Sequence, residues 1–406
     1  LSVGLMKRFA PDTLSVLEFT SQKEVELVER IFSDHPLLGE KLENSWNVTF
    51  HRELNVTDDR DLLQTQITEY PVFEGKMIHH YNHQYESPQF WIKYEDITKF
   101  YSRMSYPAWK YYRLGYRAVA SSTNETSLIS TIIPKDTATV NSLRIVELFE
   151  GSPKASQLIS KIDNSEQLFL VSLLNSLIFN YIIRRKISEN ISAFYMYQLP
   201  ISILKQGNWY FDQIVPRAAR LICTTPEYAS LWNEVYSQEW NNISKISGGT
   251  SELNDWGNLT SHWTERCGIS NSWNLNKHDI LDRAQLRCEI DALIAHLYGL
   301  ERSELEYILS TFPAVNEKTP WIVEGILKEF DNFKRLLQSL ISSATQISAN
   351  LEGKPDWKAL IAGGENERVE FKESVSWDRE RKQRNKALEH TIARTLASFM
   401  NTHGGV

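Results

Sequence analysis

The sequence predicts an α+β fold, because strand-like and helix-like patterns occupy separate parts of the chain. Residues 46–147 contain short β-like runs that Gly, Pro and Asn interrupt, which is typical of mixed, strand-rich structure. Residues 206–350 carry longer apolar stripes at helical spacing. Between these regions the run LFLVSLLNSLIFNYIIRRKI is apolar almost all round, which predicts one buried helix with a basic end.

Composition limits the class of protein. The chain has 406 residues, which is long enough for two or three domains with their own cores. Its net charge of -7 argues against a basic coat over the whole molecule but allows a basic face. The three cysteines show neither a disulfide framework nor a zinc spacing, and no apolar run is long enough to span a bilayer. We therefore expect a cytoplasmic protein with no membrane partner.

Local signals predict several element boundaries. Ser21 is a candidate N-cap with Glu24 as its capping-box partner, and Ser303 with Glu306 repeats the pattern further along the chain. Gly299 is the expected C-cap of the helix that AQLRCEIDALIAHLYGL predicts. The run FYMYQLPI predicts a short extended piece, and EGKP predicts a linker.

Several familiar catalytic loops are absent from the sequence. No Pro-Pro dipeptide, GxGxxG or GxxxxGK loop, HExxH or GxSxG occurs. An amino-methyltransferase needs an Asn/Asp-Pro-Pro-aromatic loop to hold the exocyclic amine of a flipped base. We therefore expect this chain to bind no cofactor by these routes.

The segment from Lys76 to Arg117 has the most unusual composition. It holds seven Lys or Arg residues against three acids, with twelve aromatic residues between them. Basic side chains neutralise phosphates and aromatic rings stack on bases, which favours a nucleic-acid surface. An aromatic core with basic residues on solvated strand faces explains the composition equally well. Arg184 and Arg185 have a similar pair of interpretations, a phosphate contact or a complement to the helix dipole.

The stretch YPVFEGKMIHHYNHQ concentrates His79, His80 and His83 within five positions. His79 and His83 have the i,i+4 spacing of a zinc site on a helix. The local pattern is strand- and loop-like instead, so His79 and His80 would point to opposite sides. No nearby Cys or Asp completes a ligand set, and we expect no metal at this stretch.

Most of the chain, up to about residue 345, resembles the C-terminal part of TaqI-type adenine-N6 DNA methyltransferases of restriction–modification systems. PVFEGKMIHHY followed by QFWI is similar to the entry of their target-recognition domain, although Met77 stands where the family has Asp. The matching residues are Gly75, Lys76, Ile78 and Tyr81. YYRLGYRAVASSTNETSLISTIIP is similar to the paired strands of that domain, and LLNSLIFNYIIRRK to its closing helix. LRCEIDALIAHLYGLERSELEYILSTFP resembles the helical tail of large enzymes of this class.

This resemblance implies that the chain supplies DNA recognition to a site-specific enzyme. Residues 1–45 would follow a catalytic domain, N-terminal in the same polypeptide, that binds S-adenosylmethionine and flips the adenine. Residues 46–205 would form the target-recognition domain, which contacts the phosphates of double-stranded DNA and reads base edges, and residues 206–350 a helical region. The expected DNA contacts are Lys76, Arg113, Arg117, Arg184 and Arg185.

Residues 356–406 show a second resemblance. GENERVEFKESVSW and ALEHTIARTLASFMNTHGGV are similar to the beginning of a Schlafen/AlbA-type nucleic-acid-binding domain, which implies a truncated α/β unit at this end of the chain. The family pattern is Glu-x4-Glu-Phe-Lys, then a helix and Ala-Phe-x-Asn-Thr-x-Gly-Gly. Glu365, Glu370 and Lys372 match its first part, and Ser398 replaces the Ala of the second. In nucleolytic members the two glutamates and a later Asp bind a divalent ion.

Two alternative functions stay open from the sequence. A metal-dependent nuclease would use Glu365, Glu370 and Lys372 with Mg²⁺, either in the Schlafen/AlbA arrangement or in a PD…ExK motif that starts at Pro355 and Asp356. A non-catalytic DNA-binding protein would bind DNA in a salt-dependent way without methyl transfer. A half-buried strand with no function of its own also explains ERVEFKES.

Overall fold

The computed structural model describes residues 21–43, 45–120, 125–151, 158–187, 190–242 and 277–351, together with the dipeptides 377–378 and 383–384. Leu1–Phe333 form one compact unit and Lys334–Val406 a second. The expected recognition domain and the helical region as far as Phe333 therefore belong to the same unit.

The strands are short, and most of them belong to two small sheets in the first unit. The strands of the described residues are β1 (Phe50–His51), β2 (Tyr70–Phe73), β3 (Phe90–Ile92), β4 (Arg113–Arg117), β5 (Ser130–Ile133), β6 (Ala138–Thr139), β7 (Leu143–Val146), β8 (Phe149–Glu150), β9 (Ile159–Ser160), β10 (Trp377–Asp378) and β11 (Gln383–Arg384). An antiparallel sheet has the order β1-β7-β4-β5. A second sheet has the order β3-β2-β6, in which β2 runs parallel to β6.

Most of the helices follow the two sheets in the sequence, and one helix packs on the four-stranded sheet. The α-helices of the described residues are α1 (Gln22–Ser33), α2 (Tyr94–Tyr101), α3 (Asn164–Asn175), α4 (Leu177–Arg184), α5 (Ala193–Tyr197), α6 (Trp209–Ile222), α7 (Ala229–Val235), α8 (Lys277–Leu297), α9 (Arg302–Ser310), α10 (Pro313–Lys318) and α11 (Pro320–Leu351). Within the first unit α3 packs on β5 and on α6, and α6 packs on α8. Helices and several small sheets in one chain are compatible with the predicted α+β class.

The four-stranded sheet has packed side chains on both faces. The core cluster on one face comprises Phe73, Met77, Ile78, Ile133, Leu143 and Ile145. Gly115 pairs directly with Ile145, and opposed residues of an antiparallel pair share a face. A Cβ at position 115 would lie 2.9 Å from Ile145 Cδ1 and 3.0 Å from Ile133 Cγ1, so a side chain at this strand position would require both isoleucines to move. The other face lies against α3.

The apolar run after residue 167 forms two helices, so the prediction of one continuous helix was wrong. Ser176 separates α3 from α4 with an extended backbone, φ −67° and ψ 152°, and the two helices are bent by 60°. Its hydroxyl donates to the Leu173 carbonyl at 2.9 Å and accepts from the Phe179 N–H at 3.3 Å. One serine therefore caps both helices, and hydrophobic periodicity does not detect this because both sides of the break are apolar.

Amide side chains on this helix pair bond to backbone groups beside the sheet. The Gln167 Oε1 accepts from the Leu114 N–H at 2.7 Å. The Asn180 Oδ1 accepts from the N–H groups of Ser127 and Leu128 at 2.9 and 2.8 Å. All of these groups are buried, so each bond offsets a desolvation cost that an orphaned N–H would carry.

Two predicted helix boundaries are confirmed. Ser21 caps α1, and its hydroxyl accepts from the Glu24 N–H at 3.3 Å. Gly299 follows α8 with φ +63°, a left-handed conformation that glycine adopts without a steric cost.

Two other local predictions were wrong. Ser303 does not cap α9, because Glu301 is the N-cap and forms a capping box with Glu304. The run FYMYQLPI is not extended throughout, because its first residues form α5; only Pro200 forms a strand-like bridge, with Leu37.

No single helix in the described ranges is long and apolar enough to cross a membrane. The bent pair α3 and α4 reaches the required length and composition together. The side chains of this pair from Glu166 to Ile183 are, however, buried in the first unit.

Candidate nucleic-acid interface

The turn after β2 is built against the start of β7. Gly75 opens a short 3-10 turn, and its N–H donates to the Ser142 Oγ at 2.9 Å. A Cβ at position 75 would lie 2.8 Å from the Ser142 carbonyl oxygen, so only glycine allows this approach. The glycine of the EGK motif therefore fixes the position of Lys76 relative to the sheet.

Arg117, at the end of β4, holds this turn. Its Nε donates to the Ile78 carbonyl at 2.9 Å, a second guanidinium nitrogen also donates to Ile78, and the same nitrogen donates to the Lys76 carbonyl at 3.2 Å. The guanidinium carbon lies 5.7 Å from the centre of the Tyr85 ring, which is 56% exposed. Two of the predicted DNA contacts, Lys76 and Arg117, are thus neighbours, although they lie 41 positions apart in the sequence.

Lys76 presents its charge to solvent. Its side chain is 40% exposed, and its Nζ lies 3.4 Å from a carboxylate oxygen of Glu74. The ammonium of Lys76 is accessible, but the Glu74 oxygen that it faces is buried and forms no hydrogen bond within the described residues. Lys76 therefore balances this buried carboxylate oxygen and also presents positive charge to solvent.

Two further arginines lie at the same end of the sheet. Arg144 pairs with Tyr116 across β7 and β4, beside the pairing of Arg117 with Leu143. Arg144 is half-buried, donates to the Asn141 carbonyl at 3.2 Å and has its pKa lowered by burial and by the like charge of Arg52. In the part of the chain that the structure describes, Arg144 forms no ion pair.

We call Lys76, Arg117, Arg144 and Arg52 the basic rim, because they surround the edge of the sheet where β1 and β4 end and β7 begins. Lys76 and Arg117 were predicted from the sequence. Arg144 and Arg52 were not, since nothing in their local sequence distinguishes them from solvated strand residues. The antiparallel register of β1, β7 and β4 brings them to the same end of the sheet as Arg117 but to its opposite face, because Arg144 pairs with Tyr116, the neighbour of Arg117.

The three histidines do not form a metal site. His80 is buried; its Nδ1 lies 2.8 Å from the Asn175 Oδ1 and its Nε2 lies 2.7 Å from the Thr126 Oγ1. Because an amide oxygen only accepts, Nδ1 carries the proton and Nε2 accepts from the threonine hydroxyl. No group of three metal-ligating side chains occurs among the described residues.

The histidines are also neutral near pH 7. Burial, together with the charges of Arg287 and Arg117, lowers the pKa of His79 to about 4. Burial likewise lowers the pKa of His83 to about 4. The stretch therefore contributes uncharged rings, and its positive charge comes from Lys76 and Arg117.

Arg113 cannot act as predicted, because its side chain has no exposed surface. Its guanidinium forms an ion pair with Glu53 at 2.6 Å and donates to the Thr137 carbonyl at 2.7 Å. The second carboxylate oxygen of Glu53 accepts from the N–H and the hydroxyl of Thr139 at 3.0 and 2.6 Å. Arg113 therefore belongs to the core, and we remove it from the set of DNA contacts.

The two arginines at the C-terminal end of α4 have different environments. Arg184 is half-buried; it donates to the Glu125 carbonyl at 3.1 Å and lies 4.7 Å from the centre of the Phe312 ring. Arg185 pairs with the buried carboxylate of Glu24, and its guanidinium lies 4.4 Å from the Tyr181 ring centre. Arg184 therefore remains partly accessible to solvent, whereas the charge of Arg185 is paired with a buried carboxylate.

Glu365, Glu370 and Lys372, the residues of the nuclease alternative, lie outside the described residues. So do Pro355 and Asp356.

Comparison with known proteins adds no further assignment. No family model matches the chain, and no curated protein is significantly similar to it.

Proposed function

We propose that this chain recognises double-stranded DNA for a site-specific adenine-N6 DNA methyltransferase of a restriction–modification or phage-defence system. The basic rim and Arg184 contact backbone phosphates. A catalytic domain that binds S-adenosylmethionine precedes this chain in the same polypeptide and transfers the methyl group.

One observation carries the DNA-binding part of the proposal, namely the contact of Arg117 with the Lys76 carbonyl. It gathers two cationic side chains and the exposed ring of Tyr85 on one surface, although the net charge of the whole chain is -7. Phosphate contacts need local positive charge rather than a basic protein, and neighbouring aromatic rings can pack on bases or sugars. The methyltransferase part is supported by the ordered sequence blocks alone.

The salt dependence of DNA binding tests the first part. We expect the affinity for a short mixed-sequence duplex to fall steeply with salt, because each neutralised phosphate contributes about −0.9 to the slope of log K against log salt concentration. Lys76→Gln is expected to reduce that slope by about 1. Lys328→Gln is the matched control, because Lys328 is exposed on α11, outside the rim.

The methyltransferase part has its own test. The full-length polypeptide, mixed with duplex DNA and S-adenosylmethionine, is expected to form N6-methyladenine at one sequence. If the polypeptide binds DNA but transfers no methyl group, the result would support the alternative of a non-catalytic DNA-binding protein. Absence of salt-dependent binding would overturn the DNA-recognition proposal itself.

A further inference from the structure

We propose that Arg287, on α8 of the helical region, completes a phosphate-binding site with Arg117 around the His79–Tyr81 turn, and that a backbone phosphate of DNA occupies it. The inference rests on the proposed DNA-binding function. It extends that function to a residue outside 46–205, the segment expected to hold the recognition domain.

Helix α8 lies directly against the turn. Arg283 donates to the Tyr81 carbonyl at 3.5 Å and to the Leu221 carbonyl at 2.7 Å, so the start of α8 is fixed at this position. Arg287 is four residues further along α8 and therefore lies on the same face of the helix. Tyr81 itself has φ +56°, and this left-handed conformation turns the chain so that His79 and Tyr85 lie side by side, 4.8 Å between ring centres.

The two arginines approach His79 from separate elements. Both Arg287 and Arg117 contribute to the lowered pKa of His79, after the larger effect of burial. The neutral imidazole between them offers hydrogen bonding without adding charge. Positive charge from two separate elements therefore meets at this ring, where it would attract one anion.

Nearby carboxylates neutralise this site only in part. Asp291, one turn along α8 from Arg287, is buried and accepts from the Leu177 N–H at 2.7 Å; burial raises its pKa to about 7, although that hydrogen bond and the charge of Arg287 act to lower it. Glu86 is exposed and raises the pKa of Arg117 against the effect of burial, but forms no ion pair with it. In the described ranges Arg287 is half-buried and has no ion-pair partner.

The surroundings favour a polymer with successive phosphates. The site continues into Lys76 through the hydrogen bond of Arg117 to the Lys76 carbonyl. The exposed Tyr85 ring lies beside both His79 and Arg117, where a sugar or base next to the bound phosphate would pack. Guanidinium groups suit this ligand because their planar donors match phosphate oxygens.

The test measures binding of the full chain to a mixed-sequence duplex over a range of salt concentrations. Arg287→Gln is expected to reduce the slope of log K against log salt concentration by about 0.9, the contribution of one phosphate. Arg287→Lys is expected to retain the slope. Arg302→Gln is the matched control, because Arg302 lies in the same helical region but is paired with Asp331 at 3.2 Å, and its replacement should leave the slope unchanged.

Two further measurements keep the inference falsifiable if Arg287→Gln unfolds the protein. Glu86→Gln removes a surface carboxylate near Arg117 and is expected to tighten binding to the duplex. Inorganic phosphate at matched ionic strength should compete with the duplex better than chloride does, because the planar donors of two guanidinium groups match phosphate oxygens. Equal competition by phosphate and chloride would overturn the inference.

The outcomes separate the two proposals. Normal salt dependence with an unchanged slope in folded Arg287→Gln would overturn the role of Arg287 and leave DNA recognition by the basic rim intact. Looser or unchanged binding in Glu86→Gln would also count against the site. Absence of salt-dependent binding by the unmodified chain would remove both proposals together.

Discussion

The side-chain amide of Asn175 pairs with both backbone groups of Ser130. Its Oδ1 accepts from the Ser130 N–H at 2.9 Å, and its Nδ2 donates to the Ser130 carbonyl at 2.9 Å. The same Oδ1 accepts from the His80 ring at 2.8 Å. The amide therefore joins helix α3, strand β5 and the histidine stretch through one buried side chain.

Asn175→Ala should destabilise the first unit, because it leaves buried backbone and imidazole groups without partners. We expect a loss of about 2–4 kcal/mol in the free energy of unfolding, from two or more buried groups at about 1–3 kcal/mol each. Urea unfolding measures this loss. Asn175→Asp should be at least as destabilising at pH 7, because it places a buried carboxylate oxygen against the Ser130 carbonyl. A stability of either variant equal to that of the unmodified protein would contradict the assignment.

The buried pair of Glu53 and Arg113 predicts strong coupling between these residues. Arg113→Met alone should cost about 3–5 kcal/mol, because it leaves the Glu53 carboxylate buried without its cation. Glu53→Leu combined with Arg113→Met should cost less than the sum of the two single changes. A double-mutant cycle by chemical unfolding gives the coupling energy, and additive single effects would show that the pair is not formed.

Arg185 should matter for stability and not for DNA. Arg185→Gln removes the cation from the buried Glu24 carboxylate, which also accepts from the hydroxyls of Tyr181 and Tyr307 at 3.0 and 3.1 Å. We expect a loss of about 3 kcal/mol in the free energy of unfolding. At a temperature where the variant stays folded, its salt slope for DNA binding should equal that of the unmodified chain. A reduced slope would return Arg185 to the set of phosphate contacts.

Asp291 predicts a particular dependence of stability on pH. Burial raises its pKa from 3.8 to about 7, so the folded state holds a proton that the unfolded state releases between these values. The contribution of this group to the free energy of unfolding is therefore complete below about pH 4. Between about pH 4 and 7 it falls by at most about 1.4 kcal/mol per pH unit, and above that range it stays constant.

The measurement compares Asp291→Asn with the unmodified protein by urea unfolding at several pH values. Asparagine keeps an acceptor for the Leu177 N–H but does not titrate. The stability of the variant relative to the unmodified protein should therefore rise between about pH 4 and 7. A constant difference would mean that Asp291 titrates normally. The buried histidines act in the opposite direction, but they are common to both proteins and cancel in the difference.

Sequence patterns predicted the features that depend on neighbouring residues. The Ser21 cap and the Gly299 conformation follow from local chemistry, and the β-like segments QFWI and YYRLGYRAVASSTNETSLISTIIP contain strands β3, β4 and β5. The break at Ser176 was missed because periodicity measures polarity and not the direction of the backbone.

The candidate site was predictable only in part, because charge patterns do not reveal distant partners. Arg113 and Arg117 are alike in sequence, two basic residues of one strand. They differ in the structure because Glu53, 60 positions earlier, is aligned with Arg113. Arg287 lies 170 positions after Arg117 on a helix that has no local signal for DNA, so only packing of α8 against the histidine turn identifies it.

The bonds of Asn175 to Ser130 also affect how the protein behaves towards other copies of itself. Strand β5 is the outer strand of its sheet, and an uncovered outer strand is a template for intermolecular strand addition. The outward N–H and carbonyl of Ser130 are occupied by Asn175, and the same carbonyl accepts from the Tyr81 N–H at 3.2 Å. Side chains from a helix and the backbone of the histidine stretch thus close this edge, so resistance to aggregation at β5 depends on residues outside the sheet.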